Sequence, residues 1–243
     1  MRYLIKISYD GANFNGYQKQ PGKRTVEDCF EKALYSINNH TKTKIYSSGR
    51  TDSGVHALGQ MAHFDIDVEI TSYKLKCALN SLLPDDIHVV DVKNVDNDFN
   101  SRFDVKTKTY EYKINIGEYN PIERKYVYQF NKELNVDKMK NAIKDFEGEH
   151  DFKPFVSDEA KKNNYVRKVV STKINEKNGI ITIRFKGNGF MKYQVRNMVG
   201  TLIKIGMNKI EVDSVKKILS GDLNKKHVFT APSEGLYLVE VKY

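Results

Sequence analysis

The sequence predicts an α+β fold made of two ferredoxin-like halves, each a largely antiparallel sheet with helices packed on one face. Three observations predict it. Roughly the first hundred residues read in the order strand, helix, strand, strand, helix, strand, which is the split βαβ arrangement. The second half repeats that order with additions. Between them the polar stretch 97–103 places a boundary, so the expected domains are 1–100 and 101–243. No sequence repetition accompanies the repeated order, and duplication rests on element order alone.

Taken in order, residues 2–10 (RYLIKISYD) alternate apolar and polar at period two and predict a half-buried strand. Gly11, Gly16, Pro21 and Gly22 punctuate a loop in which Phe14, Tyr17 and Gln18 supply more stacking and hydrogen-bonding groups than a linker needs. Thr25 opens a helix with Val26, Phe30, Ala33, Leu34 and Ile37 on one face, Asp28 standing where a capping box has Glu or Gln, and an end near Asn39. A short strand over 44–47 and another over 60–68 follow. The next helix shows Tyr73, Leu75, Ala78, Leu79 and Leu82 on one face, with Ser72 as its cap and Pro84 as its stop. Residues 87–95 are the fourth strand.

In the second half the expected elements are a strand over 106–117, an inserted extended segment over 122–130, a helix over 135–147 and a lysine-rich loop over 157–164. Strands over 165–176 and 179–187 are joined at Asn178-Gly179, a dipeptide suited to a type I′ turn. Helices over 190–206 and 212–220 and a strand over 236–242 complete the chain.

A chain of 243 residues can bury a core without disulfide or metal staples. No stretch approaches the roughly 20 apolar residues of a membrane span, and the N-terminus begins a strand pattern and not a signal peptide, which predicts a cytoplasmic protein. Cys29 and Cys77 form no CxxC pair and are expected to be buried apolar residues; His56 and His63 have no carboxylate or cysteine at metal-ligand spacing, so no metal site is expected. The net charge of +9 fits a polyanionic partner, because lysines that neutralise phosphates release counterions, but scattered lysines also make a merely solvated surface. Arginine is the rarer basic residue, and Arg50, Arg102 and Arg196 stand in loop-like, glycine-rich or apolar surroundings.

The polar stretch Ser47-Ser48-Gly49-Arg50-Thr51-Asp52-Ser53-Gly54-Val55-His56-Ala57 reads as a tight loop. Arg50 and Asp52 flank Thr51 and share a side on an extended backbone, so a guanidinium could hold the carboxylate ionised. An ionised, positioned carboxylate can act as nucleophile or base; equally, Asp52 could cap the backbone of Gly54 in an Asx-turn. Tyr110 and Tyr112 share one face of a strand, as a stacking platform for bases or as core. Arg196 interrupts the apolar run Phe190, Met191, Val195, Met198, Val199, Leu202, Ile203, where it must pair with a carboxylate, reach a cavity or snorkel at the helix edge.

Taken together these segments resemble the TruA-type tRNA pseudouridine synthases. Gly49-Arg50-Thr51-Asp52-Ser53-Gly54-Val55-His56-Ala57, followed by Gln60 and Phe64, is similar to that family's active-site motif. Tyr9 to Pro21, with Arg24-Thr25-Val26-Glu27, resembles its N-terminal motif. Further matches, in the family's order, are Ser101-Arg102-Phe103, Lys108-Thr109-Tyr110-Glu111-Tyr112, Gly148-Glu149-His150-Asp151-Phe152, Val195 to Gly200 and Glu234 to Leu238.

The resemblance implies two RRM-like halves forming a central cleft, and isomerisation of uridine to pseudouridine at positions 38 to 40 of the tRNA anticodon stem-loop. It implies Asp52 as nucleophile, Arg196 as its ion-pair partner, Tyr110 stacking on the target base and removing the C5 proton, Arg50 contacting RNA and Leu236 walling the pocket. It implies no metal or organic cofactor, tRNA as partner, and a homodimer. The chain departs from the family's pattern at Tyr17, where tryptophan is expected, over 153–164 and at Met191-Lys192-Tyr193-Gln194. These departures bear on substrate choice, and leave open a paralogue that modifies another RNA such as rRNA. A catalytically silent RNA-binding protein of the same fold is the other alternative, and the presence of Asp52, Tyr110 and Arg196 together argues against it.

Overall fold

The computed structural model of the chain describes residues 1–157 and 164–243. It is an α+β protein whose strands pair almost wholly antiparallel. Two compact units form: Met1–Lys106 with Leu238–Tyr243, and Thr107–Tyr237.

The first unit contains β1 (Arg2–Tyr9), α1 (Val26–Ile37), β2 (Tyr46–Ser47), β3 (His56–Asp65), α2 (Ser72–Leu82) and β4 (Ile87–Val95). Its sheet runs β4-β1-β3, with β2 paired to β3. Alternation in β1 sends Tyr3, Ile5, Ile7 and Tyr9 to one buried face. The register pairs Ile5 with Ala62 and Val92, Ile7 with Gln60 and Val89, and Tyr9 with Ala57 and Ile87. The apolar sides of α1 (Val26, Phe30, Ala33, Leu34) and α2 (Leu75, Leu79) are buried, with α2 packed on β4 and α1 on α2. Thr25 caps α1, its hydroxyl accepting the Asp28 N–H. For α2 the cap is Thr71 and not Ser72, which is the first helical residue. Both are hydroxyl residues, and the pattern alone does not separate adjacent ones.

The second unit contains β5 (Thr107–Asn115), β6 (Tyr128–Gln129), α3 (Val136–Ala142), β7 (Gly148–Asp151), β8 (Val166–Lys177), β9 (Ile180–Gly187), α4 (Gln194–Gly206) and α5 (Ser214–Ser220). Its sheet runs β5-β9-β8-β7. Asn178 (φ 52°) and Gly179 (φ 74°) make the left-handed corner that joins β8 to β9, as Asn-Gly predicts. The strand pattern at 236–242 is β10 (Leu236–Lys242), whose residues from Leu238 onward belong to the first unit.

Four further expectations need correction. The strand expected from 60 begins at His56, because the register with β1 extends to Tyr9 opposite Ala57. The helix expected from 190 begins at Gln194, because Tyr193 is left-handed (φ 65°) and interrupts the apolar run. The segment 122–130 is mostly turns, with only Tyr128–Gln129 joining the sheet, parallel to β5. Cys77 is exposed and Cys29 half-buried. Strand β7 was missed because four residues are too few to display a period. Most of the lysine-rich loop expected over 157–164 lies outside the described residues.

Candidate active site

The Asp52 loop is held chiefly by main-chain bonds. Ser48 N–H donates to the Met61 carbonyl (2.7 Å), and the buried amide of Gln60 accepts from the Ser48 hydroxyl (2.7 Å) while donating to the Gly49 carbonyl (2.8 Å). Further along, the segment 11–17 lies against the loop. Tyr17 N–H donates to the Thr51 carbonyl (3.1 Å), while Gly54 N–H (3.3 Å) and the Ser53 hydroxyl (3.1 Å) both donate to the Phe14 carbonyl. Val55 N–H closes a tight turn onto the Asp52 carbonyl (3.2 Å), and Gly54 takes the left-handed φ of 77° that the turn requires. The Gly54 N–H, which an Asx-turn at Asp52 would use, donates to the Phe14 carbonyl.

Close approach explains the glycine before this turn. A β-carbon on Gly11 would sit 2.0 Å from the Val55 carbonyl oxygen, so no larger residue fits without moving backbone. Gly11 N–H donates to Nδ1 of buried His56 (3.1 Å), and Asp10 Oδ1 lies 3.1 Å from the same nitrogen. Tyr9 and Thr51 join hydroxyls at 2.8 Å beneath the loop. Burial pushes the Tyr9 phenol up to about 12, against the opposing hydrogen bonds with Thr51 and Gln60, so it stays neutral at ordinary pH. On this frame Asp52 is half-buried and Arg50 exposed.

In the second unit, Tyr110 lies on β5 with 8 % of its surface exposed, opposite Phe185 and edge-on to Phe190 at 5.4 Å. Tyr112 is fully buried, its hydroxyl donating to the Pro232 carbonyl (2.7 Å). The two tyrosines share a face, and the fully buried member is core. Arg196 lies on the first turn of α4, half-buried. Its Nε donates to the Ala231 carbonyl (2.7 Å), Ala231 N–H returns a bond to the Arg196 carbonyl (3.1 Å), and the guanidinium stands 4.9 Å from the Tyr193 ring centre. Arg196 also bears on buried Tyr112, opposing the rise that burial gives its phenol. Leu236 is buried at the start of β10, after a turn onto the Ser233 carbonyl (2.9 Å).

The structure thus places Arg50 and Asp52 in the first unit and Tyr110, Arg196 and Leu236 in the second. Sequence reasoning missed the supporting roles of Phe14, Gln60 and His56. The available signal was a buried-strand position occupied by glutamine, since a polar group there needs partners. Tyr17 is 1 % exposed, with its ring 6.5 Å from that of Tyr9, so this departure bears on packing under the loop. Among the described residues no group of three or more His, Cys, Asp or Glu side chains could hold a metal ion, and no helix is long and apolar enough to cross a membrane.

Residues 5–104 and 142–243 match the family described as tRNA pseudouridine synthase. That is a class of isomerases acting on tRNA. Proteins named tRNA pseudouridine synthase A are similar over the full length. One from Limosilactobacillus reuteri is 43 % identical, covering 100 % of this chain and 96 % of its own. One from Streptococcus uberis is 42 % identical over 100 % and 98 %, and one from Streptococcus mutans 42 % over 100 % and 99 %. The chain belongs to the tRNA pseudouridine synthase family.

Proposed function

We propose that this protein converts uridine to pseudouridine at positions 38 to 40 of the tRNA anticodon stem-loop, with Asp52 as the nucleophile. The observation that carries the proposal is the Asp52 loop, whose neighbouring N–H groups at Gly54 and Val55 are taken by carbonyls, so that the backbone carrying the carboxylate is fixed. Such a carboxylate is preorganised for attack. Asp52 attacks C1′ of the uridine as the C1′–N1 bond breaks, leaving the uracil with the bonding pair. The freed base turns, C5 attacks C1′ and displaces the carboxylate, the C5 proton leaves and N1 takes one up. Atoms and electrons balance without a co-reactant.

In this proposal Arg196 is the counter-ion of Asp52, Tyr110 stacks on the base and accepts the C5 proton, Arg50 contacts RNA beside the extruded nucleotide, and Leu236 excludes water. Extruding a base costs about a few kcal/mol, which phosphate contacts by a basic protein offset. We propose that it works in the cytoplasm as a homodimer whose two subunits share one tRNA. The test is to map pseudouridine after incubation of the purified protein with unmodified tRNA transcripts carrying uridine at 38, 39 or 40, and with rRNA fragments. Modification at those tRNA positions is expected; modification confined to rRNA would overturn the substrate assignment.

A further inference from the structure

We infer that Arg24 is a positioning residue for the Asp52 loop, acting through Phe14; the inference rests on the reading of Asp52 as nucleophile. Arg24 grips Asp86 through both nitrogens, Nη1 to Oδ2 at 2.7 Å and Nη2 to Oδ1 at 2.8 Å. That fork fixes the guanidinium in plane and direction, as a lysine cannot. So fixed, it lies 4.0 Å from the centre of the Phe14 ring, within cation–π range. The Arg24 carbonyl also accepts the Asn15 N–H (2.8 Å), so the residue holds the Phe14 segment by main chain and side chain together.

Phe14 transmits the constraint. It is 3 % exposed, and its carbonyl receives both the Gly54 N–H and the Ser53 hydroxyl, the two residues that follow Asp52. Asp86 is itself tied to the same segment, its carbonyl accepting the Asp10 N–H (3.0 Å). The path from Asp86 through Arg24 and Phe14 to residues 53 and 54 is continuous at hydrogen-bond or ring-contact distance.

A basic residue in an RNA-modifying enzyme invites a different role, direct contact with phosphate. The geometry points away from it: both terminal nitrogens face a carboxylate that would repel a phosphate at the same place. The two roles make opposite demands on Asp86. If Arg24 positions the loop, Asp86 helps; if Arg24 binds RNA, Asp86 hinders.

The test uses the full-length protein as Arg24→Gln, Asp86→Asn, the double variant and Arg24→Lys. It measures kcat, KM, tRNA Kd at two salt concentrations, melting temperature, and hydrogen exchange at the Gly54 amide by NMR. Each single variant is expected to lower kcat about tenfold, as a small displacement of a reacting group does. The tRNA Kd should stay within about twofold, Gly54 should exchange faster, and the double variant should be no worse than either single, since both break one path. Arg24→Lys, which keeps the charge without the fork, should fall with Arg24→Gln. Weaker tRNA binding with a shallower salt dependence in Arg24→Gln, or tighter binding in Asp86→Asn, would overturn the proposal in favour of an RNA contact. Unchanged turnover in both singles would also overturn it. Asp52→Ala assayed alongside then locates the fault: if active, in the nucleophile reading; if inactive, in the clamp.

Discussion

The loop that carries Asp52 and the helix that carries Arg196 are secured in opposite ways. The loop has almost no structure of its own. Its shape is imposed by main-chain bonds from residues 14 to 17, more than thirty residues earlier in the chain, and by the amide of Gln60. Arg196 stands on a regular helix, and its own side chain makes the contacts that hold it, among them the bond from its Nε to the Ala231 carbonyl and the approach of its guanidinium to the Tyr193 ring. A loop held from outside is sensitive to changes at its distant supports, whereas a side chain on a helix is sensitive chiefly to its own replacement. This contrast predicts which substitutions matter and how far from the chemistry they can lie.

The largest effect is expected at the helix. Arg196→Ala removes the proposed counter-ion of Asp52 and should lower turnover by about 10²–10³-fold, the range for losing a preorganised electrostatic partner. It also leaves the Ala231 carbonyl without its donor, which should destabilise the fold by about 1–2 kcal/mol in denaturant titration. Turnover within about threefold of wild type would break the proposed pairing. Next comes Tyr110→Phe, which keeps the ring and its edge contact with Phe190 but removes the hydroxyl. A loss of about 10²-fold in kcat with unchanged tRNA affinity is expected for a lost proton acceptor; full activity would leave Tyr110 as a stacking residue only.

Two glycines sharpen the comparison. A β-carbon at Gly11 would lie 2.0 Å from the Val55 carbonyl oxygen, and one at Gly200 on α4 would lie 1.7 Å from that of Phe229. Overpacking of this kind costs about 1–3 kcal/mol or more, which lowers the melting temperature by about 2–4 °C per kcal/mol in a chain of this size. Both variants should melt earlier. Gly11→Ala should in addition lower kcat about tenfold, because what it displaces is the backbone of the Asp52 turn. In Gly200→Ala the clash falls on the Phe229 backbone, two residues before the Ala231 carbonyl that receives the Arg196 Nε, and a smaller loss of kcat is expected because Arg196 itself still stands on the helix. Equal losses of kcat in the two variants would erase the proposed difference between the loop and the helix.

The smallest effect lies far from both. The hydrogen bond from Arg2 holds the Asp65 carboxyl below its ordinary value, against the opposing effect of burial. A depressed folded value means that the contribution is complete above the unfolded value of about 3.9 and is lost as pH falls through the lower folded one. Asp65→Asn should therefore flatten the acid side of the stability curve slightly, the Asp65 side chain being half exposed and its charge screened by solvent. An unchanged acid slope would show that the pair contributes nothing.

Much of the fold was legible because its periods are long. Strands β1 and β4 and helix α1 show alternation or helical spacing over most of their length, and Asn178-Gly179 fixes a turn by its backbone preference alone. The misplaced boundaries are places where tertiary pairing overrides pattern: His56 joins a strand because Tyr9 reaches to Ala57, and Tyr193 breaks an apolar run by turning left-handed. The strand at 236–242 was visible, but the unit it joins is decided by pairing, which a pattern does not encode. At the candidate site, Asp52, Arg50, Tyr110, Arg196 and Leu236 were legible as motif residues. Phe14 was not legible as a support, because its contribution to the loop is a carbonyl oxygen, which every residue possesses.

The central claim is that the Asp52 carboxylate, presented by a loop fixed through its neighbours' backbone, attacks the uridine. The most direct measurement follows release of tritium from tRNA labelled at uridine C5, comparing wild type with Asp52→Ala at equal occupancy of bound tRNA. The account predicts that the variant binds tRNA within about twofold of wild type and releases no tritium above background. Release within about tenfold of the wild-type rate would contradict it, since a nucleophile cannot be dispensed with at so small a loss.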